Sequence, residues 1–530
     1  MTAVPRLFVR QSSGLVRTIS AFGAMVFGVH CISLSSSGLI PFSWVASVWP
    51  GASIIGVLTV AMLLGLFHAY SYAAIGSAMP RSGADYVLGS RVLHPTLAFA
   101  ASWVLGIFSG IVAGGLIAWI PGTALPTLAR TIGIIFENQA AVDFASWSAS
   151  STGILVIGTI CVLVTWMTML LPTQRIVRIL EVGFFLGVAA WIVIFIVLAT
   201  APGPSAFQEA WDRFMGTGSY ASRIDLAVQA GMEYSPNVVI MTLAGLIMGF
   251  WIYYGYYIPT FFAGEVKDTQ RNLLIGAWSS LLVTWAIFSF ANILLERLVP
   301  LKWIAAEGYL YNNTETFAMP WITFYASILA PNPLVVGLIT LAWIYTLINL
   351  AQTYFFYTSR IIFSWAFDRI IPSGVAHVHP RWGSPVVAVS IIALLAWVGV
   401  IDAATRGILA TQLHFVFFAV ITQLVPVLAL TLLPFLKPQL WATAPRIVRA
   451  KVGPIPVITM VGGITLVYLV WMIVASFLFP AVGGGIGMGT LAVFAVLFLI
   501  GAAVQRIARW YRLRQEGIDL AWTFREIPPV

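Results

Sequence analysis

VVIMTLAGLIMGFWIYYGYYIPTFFAGEVKDTQRN, residues 238–272, decides the fold of this chain. It begins as an unbroken apolar run of the kind that crosses a bilayer, then sets Gly255 and Pro259 at what would be mid-depth. Glycine loosens a helix there, and proline cannot donate to the carbonyl one turn back. Hydrocarbon cannot satisfy the freed backbone groups, so the break must face protein or a wet cavity. The stretch is therefore a candidate binding site, with a proline-kinked packing helix as the plainer alternative.

Composition around this stretch sets the class. With 60% apolar residues, 8% charged residues and a mean hydropathy of +0.95 over 530 residues, the chain reads as an all-α integral membrane protein. At about 20 apolar residues per crossing, twelve spans are expected, near 18–41, 51–76, 95–119, 153–171, 179–200, 237–262, 273–295, 333–363, 385–403, 411–435, 455–479 and 487–507. Residues 1–17 carry Arg6, Arg10 and Arg17 without an apolar core, so a cleavable signal is not expected. Five helices before the 255–259 break, the first span reads Gly28-Val29-His30-Cys31-Ile32-Ser33-Leu34-Ser35-Ser36-Ser37-Gly38, a serine run suited to backbone that opens into a cavity. Two interrupted helices in corresponding places of two halves point to an inverted-repeat transporter. The expected division is 1–17 as a terminal segment, 18–200 as the first repeat, 201–236 as an external loop, 237–435 as the second repeat, 455–507 as two further helices, and 508–530 as the tail.

Charge gives the orientation. Of the 27 Lys and Arg, 21 fall on the side of the N-terminus, which by the positive-inside rule puts both termini in the cytoplasm of a cell-membrane protein. The net charge of +9 is thereby explained by topology, and a nucleic-acid partner is not expected. Cys31 and Cys161 lie inside spans, which argues against a disulfide framework. His30, His68 and His414 are the ionisable groups within the spans, and His30 is the candidate for proton coupling. With no charged side chain expected in the cavity, half-helix N-termini would hold a carboxylate, and half-helix C-termini with freed carbonyls would hold an ammonium or sodium ion.

Five motifs in order, spread over nearly the whole chain, resemble the amino acid–polyamine–organocation transporter superfamily. They are Gly14-Leu15-Val16-Arg17-Thr18-Ile19-Ser20, Met79-Pro80-Arg81-Ser82-Gly83-Ala84-Asp85-Tyr86 with Ser90-Arg91, and Gly264-Glu265-Val266-Lys267-Asp268-Thr269-Gln270-Arg271-Asn272. The others are Arg360 through Asp368-Arg369-Ile370-Ile371-Pro372 with Gly383-Ser384-Pro385, and Gly517-Ile518-Asp519-Leu520 with Glu526-Ile527-Pro528-Pro529. The resemblance implies a LeuT-like fold of five plus five inverted helices and two more, working by alternating access. The chain departs from the pattern in four places. Thr269 stands where proline is usual, and Ile32-Ser33-Leu34 where Gly-Ser-Gly is usual. Gly255-Tyr256-Tyr257 stands where many relatives have Gly-x-Glu, and there is no lysine around Gly187 of the fifth helix.

The expected substrate site comprises His30, Cys31, Ile32, Ser33, Leu34, Ser35 and Ser36 of the first break, with Ser33, Ser35 and Ser36 on the ligand carboxylate. From the second break come Phe250, Trp251, Tyr254 and Gly255, with Tyr354 across the cavity and Tyr257 as gate. Val29, Asn349 and Thr353 are the candidates for an ion site; sodium coupling, proton coupling and facilitated exchange stand as alternatives, and no other cofactor or metal is expected. The implied activity is permease transport of a small molecule, a neutral amino acid before a dibasic one because a second ammonium would meet no carboxylate. A polyamine, organic-cation or nucleobase carrier and a transporter-like receptor remain the alternatives, with the protein a monomer or homodimer. A membrane enzyme is disfavoured, since no nucleophile elbow, phosphate loop or ligand cluster is present in the sequence. A channel would usually build its pore by oligomeric symmetry.

Overall fold

The computed structural model describes residues 14–405, 407–409, 413–479 and 486–524. The readings placed on Arg6, Arg10 and 526–529 lie outside the described residues. Among those described, ten helices are long and apolar enough to cross a membrane, and the bent pair Ala21–Ile32 with Ser36–Val48 makes an eleventh. The span expected at 237–262 is the exception. Only Val238–Ile252 is α-helical, followed by irregular chain and two short 3-10 turns, Ile258–Phe261 and Ala263–Glu265. The physical reason is the one visible in the sequence: Gly255 adopts φ +130° and Pro259 follows.

The first span also divides where its serines lie. Ala21–Ile32 ends at Ser33, whose φ of +69° is unusual for a side-chain-bearing residue, and the chain restarts 48° away. Ser33 holds the join: its N–H donates to the Val29 carbonyl at 2.8 Å and its Oγ accepts from the Ser36 N–H at 3.1 Å. The two broken segments cross. A Cβ built on Gly255 would lie 2.5 Å from the Cβ of Cys31, and one on Gly28 would lie 3.3 Å from the Cα of Tyr256. Glycine is required at the crossing because backbone meets backbone.

The connection expected as an external loop is helical, and so are two others. Residues 201–236 contain Pro204–Met215 and Ser219–Gln229, and 297–332 contain Leu301–Asn313 and Ile322–Leu329. These pieces pack through Trp211, Tyr220, Trp303 and Tyr325, and Arg223 pairs with buried Glu307 at 3.4 Å. The 121–152 stretch forms Leu125–Ile135 and Gln139–Ser148. At the C-terminal end Met488–Glu516 runs past the expected limit of 507, supported by an Arg512–Glu516 pair one turn apart and ended by Gly517 at φ +67°.

Candidate functional site

A cavity of about 260 Å³ opens above the crossing, on the face opposite the described N- and C-terminal residues. Cys31, Ile32, Ser36, Trp251, Tyr254 and Tyr354 line it, and it is walled by aromatic rings. Trp251 lies between Trp44 and Phe415 at centroid distances of 5.3 and 5.9 Å, and Tyr254 stacks across from Tyr354 at 6.4 Å. The first turn of Ser36–Val48 leaves backbone N–H groups without intrahelical acceptors beside Ser36 and Ser37. Val238–Ile252 brings its carbonyl end to the same cavity beside Trp251 and Tyr254, where the Trp251 carbonyl accepts from the Tyr254 N–H at 3.1 Å.

The remaining expected residues take other places. His30 turns toward the Thr173–Thr200 helix and donates from Nε2 to the Leu180 carbonyl at 2.7 Å; its buried Nδ1 has no partner among the described residues. Leu34 points at Gly187 and its carbonyl accepts from Trp191 Nε1 at 3.0 Å. Ser33 and Ser35 bond each other at 3.3 Å, and Ser35 Oγ lies 2.9 Å from Thr346 Oγ1. Phe250 packs on Tyr468 at 6.0 Å, and Gly255 carries the crossing itself. The polar groups of the candidate ion site are engaged separately. The Val29 carbonyl holds Ser33, Thr353 donates to the Leu350 carbonyl at 2.7 Å, and Asn349 donates to Gln352 at 2.8 Å. The buried Asn349 Oδ1, beside Gly183, has no partner among the described residues.

Sequence reasoning missed the residues that come from distant helices. Trp119, Asp402, Leu413 and Phe415 complete the wall from the ends of three further spans. Asp402 corrects the expectation of a cavity without negative charge: it stands on the last turn of Val386–Ala404, where its Oδ1 accepts from the Leu409 N–H at 2.9 Å. An acid at a helix end reads in the sequence as a solvated terminus, so nothing there marked it as lining.

Below the cavity the break is tied down by a buried chain of hydrogen bonds. Gln423 Nε2 donates to the Tyr257 hydroxyl at 2.6 Å, which leaves Gln423 Oε1 to accept from His68 Nε2 at 2.8 Å. His68 Nδ1 then accepts from the Tyr256 hydroxyl at 2.8 Å. Tyr257, expected as gate, is thus held between the second-span helix Ile54–Ala78 and Phe415–Leu436 on the terminal side of Tyr254.

The floor is built from two buried ion pairs that no local motif predicts. Glu265 receives Arg360 Nε at 2.8 Å and NH2 at 3.2 Å, with Thr173 Oγ1 donating at 2.8 Å. The same guanidinium covers the Phe356 ring at 3.7 Å. Arg91 binds Asp368 in bidentate fashion at 2.7 and 2.9 Å, joined by the Tyr86 hydroxyl at 2.9 Å. The N-terminal segment closes over the first of them: the N–H groups of Thr18 and Ile19 donate to the Glu265 carbonyl at 2.9 and 3.0 Å, and Lys267 N–H returns to the Ile19 carbonyl at 2.9 Å.

A family sequence model described as amino acid permease matches residues 15–503. Similar curated proteins include the methylthioribose transporter of Bacillus subtilis (strain 168), 22% identical over 375 residues that cover 71% of this chain and 72% of that one. Asc-type amino acid transporter 1 of Mus musculus is 23% identical over 440 residues, covering 81% and 71% respectively. The glutamate/serine transporter AimA of Bacillus subtilis (strain 168) is 25% identical over 382 residues, covering 70% of this chain and 63% of its own length.

Proposed function

The chain belongs to the amino acid permease family, and from that premise we propose that it carries neutral amino acids across the cell membrane by alternating access, in a LeuT-like arrangement of two inverted five-helix repeats and two further helices. The observation that carries this reading is the one-sided cavity above two crossed, broken helices, closed below by paired buried charges. A zwitterion suits the crossing. Its carboxylate faces the N–H end of Ser36–Val48, with the Ser36 hydroxyl, and its ammonium faces the carbonyl end of Val238–Ile252. The side chain then meets Trp44, Trp251, Tyr254, Tyr354 and Phe415. Asp402, engaged by Leu409 at the mouth, is the one carboxylate of the lining among the described residues, so a long dibasic substrate would have to reach the rim for its second charge.

The functional test is counterflow in vesicles loaded with unlabelled solute. Leucine, phenylalanine or alanine should accelerate uptake of its labelled form, with arginine and putrescine ineffective. The reverse preference would overturn the substrate class. Similarity to a methylthioribose transporter favours one second reading, a neutral sugar derivative, and that compound belongs in the same panel. Trp251→Ala should raise the half-saturation concentration by about tenfold, since a ring contact contributes roughly 0.5–1.5 kcal/mol. Trp251→Phe should change it little; equal, wild-type values in both variants would remove Trp251 from the substrate wall.

Orientation has its own check. In a background lacking Cys31 and Cys161, cysteines placed in 201–236 should react with an impermeant reagent outside the cell, and those in 437–451 only after the inner face is exposed. With that topology the cavity faces outward and the ion-paired floor is cytoplasmic. Labelling with the opposite sidedness would invert both assignments.

A further inference from the structure

A second pocket, of about 210 Å³, lies away from the cavity on the terminal face, between the start of Pro95–Trp119, the end of Phe415–Leu436 and the last turns of Met488–Glu516. Its polar lining is made almost wholly of donors, and no carboxylate lines it among the described residues. Lys437 is exposed there and carries no ion pair among the described residues. Arg509 meets Asp519 only at 3.6 Å through Nε and is 54% exposed. Arg91 also lines the pocket, with its charge balanced by Asp368 behind the wall. His94 accepts the Thr96 N–H on Nδ1 at 3.2 Å, so its Nε2 carries a proton that can be donated. Gln505 is only 3% exposed; its Oε1 accepts from Thr96 Oγ1 at 2.9 Å, and its Nε2 has no partner among the described residues. A buried amide that presents an unused donor to a cationic pocket marks an anion site.

The membrane supplies the anion. Gln505 and Arg509 stand on the helix that also exposes Leu499 by 65% and Ile507 by 62%, an apolar surface that hydrocarbon covers. Beside them Trp510 and Tyr511 are 53% and 49% exposed, the aromatic pair expected at headgroup depth. We propose that this pocket binds the phosphate of an anionic phospholipid headgroup, with Lys437, Arg509, His94 and Gln505 as donors and the acyl chains lying along Met488–Glu516. Basic pockets between helices on a cytoplasmic face are suited to such headgroups.

The test uses the full-length protein in detergent, with retention of added lipid read by native mass spectrometry. Phosphatidylglycerol should bind as one tightly held molecule, in preference to phosphatidylcholine of the same chains. Lys437→Gln and Arg509→Gln should each weaken its retention about fivefold, and the double variant about thirtyfold, from the attraction of roughly one charge each. Phosphatidylcholine binding and the melting temperature in phosphatidylcholine should not change. Both single positions are exposed, so folding is not at stake. A parallel titration with inorganic phosphate separates the sources. Stabilisation by phosphate, lost in the variants, without preference between the two lipids would overturn the lipid assignment in favour of the free ion. Retention of phosphatidylglycerol by the double variant at the wild-type level would overturn the site.

Discussion

Gly255→Ala is expected to abolish uptake in protein that still reaches the membrane. At φ +130° an alanine is strained, at a cost of about 1–3 kcal/mol. Its Cβ would also lie 2.5 Å from the Cβ of Cys31 and 2.7 Å from the Cys31 carbonyl carbon, so backbone must move apart. Overpacking of this kind adds about another 1–3 kcal/mol. The movement separates the two half-helix ends that would face the ligand's two charges, so initial uptake at equal surface amount should fall roughly 100-fold, as a misplacement of binding groups by about 1 Å does in enzymes. Cys31→Gly in the same chain removes the nearest side-chain atoms and should restore part of the rate. Uptake by Gly255→Ala at the wild-type level would show that the crossing is not needed for transport.

Arg360→Met should open the floor. Glu265 is fully buried, and removing its guanidinium leaves an uncompensated carboxylate, which costs about 3–5 kcal/mol in the closed arrangement. That exceeds the factor of 100 needed to shift a two-state population substantially. Native Cys31 is the reporter, since it lines the cavity, and Cys161→Ala removes the other thiol. In wild type an impermeant thiol reagent should reach Cys31 from the cavity's open face. In Arg360→Met, labelling from the terminal face should rise by about 100-fold. The double change Arg360→Met with Glu265→Gln should reverse much of this, because a neutral amide no longer demands a cation. If labelling stays one-sided in both variants, the pair contributes to stability alone.

The His68–Gln423 chain refines how the break works. It engages Tyr256 and Tyr257 from two different helices, while Tyr254, two and three residues earlier, remains on the cavity wall. The unwound segment is therefore anchored on its terminal side and lines the cavity on the other. A tyrosine-rich break can do this because each ring supplies bulk for packing and each hydroxyl one directional bond.

Local sequence was enough to locate both interruptions. Gly255 with Pro259 and the serine run after Cys31 disrupt a helix through their own backbone preferences, wherever the rest of the chain lies. The membrane class and the charge asymmetry were equally local, being sums over composition. Facing was decided only in the tertiary structure. In a bilayer the lipid is as apolar as the protein interior, so a helix carries no hydrophobic contrast to mark its packed side. Ser35 and Ser36 are neighbours, yet one bonds Thr346 and the other lines the cavity. His30, beside the first break, is turned away to Leu180, while Asp402 and Phe415, more than 370 residues further along, complete the site's wall. The pairing of Glu265 with Arg360 is of the same kind: each charge is visible in the sequence, but only the docking of the Ala263–Glu265 turn on the Pro333–Phe367 helix brings them within 2.8 Å.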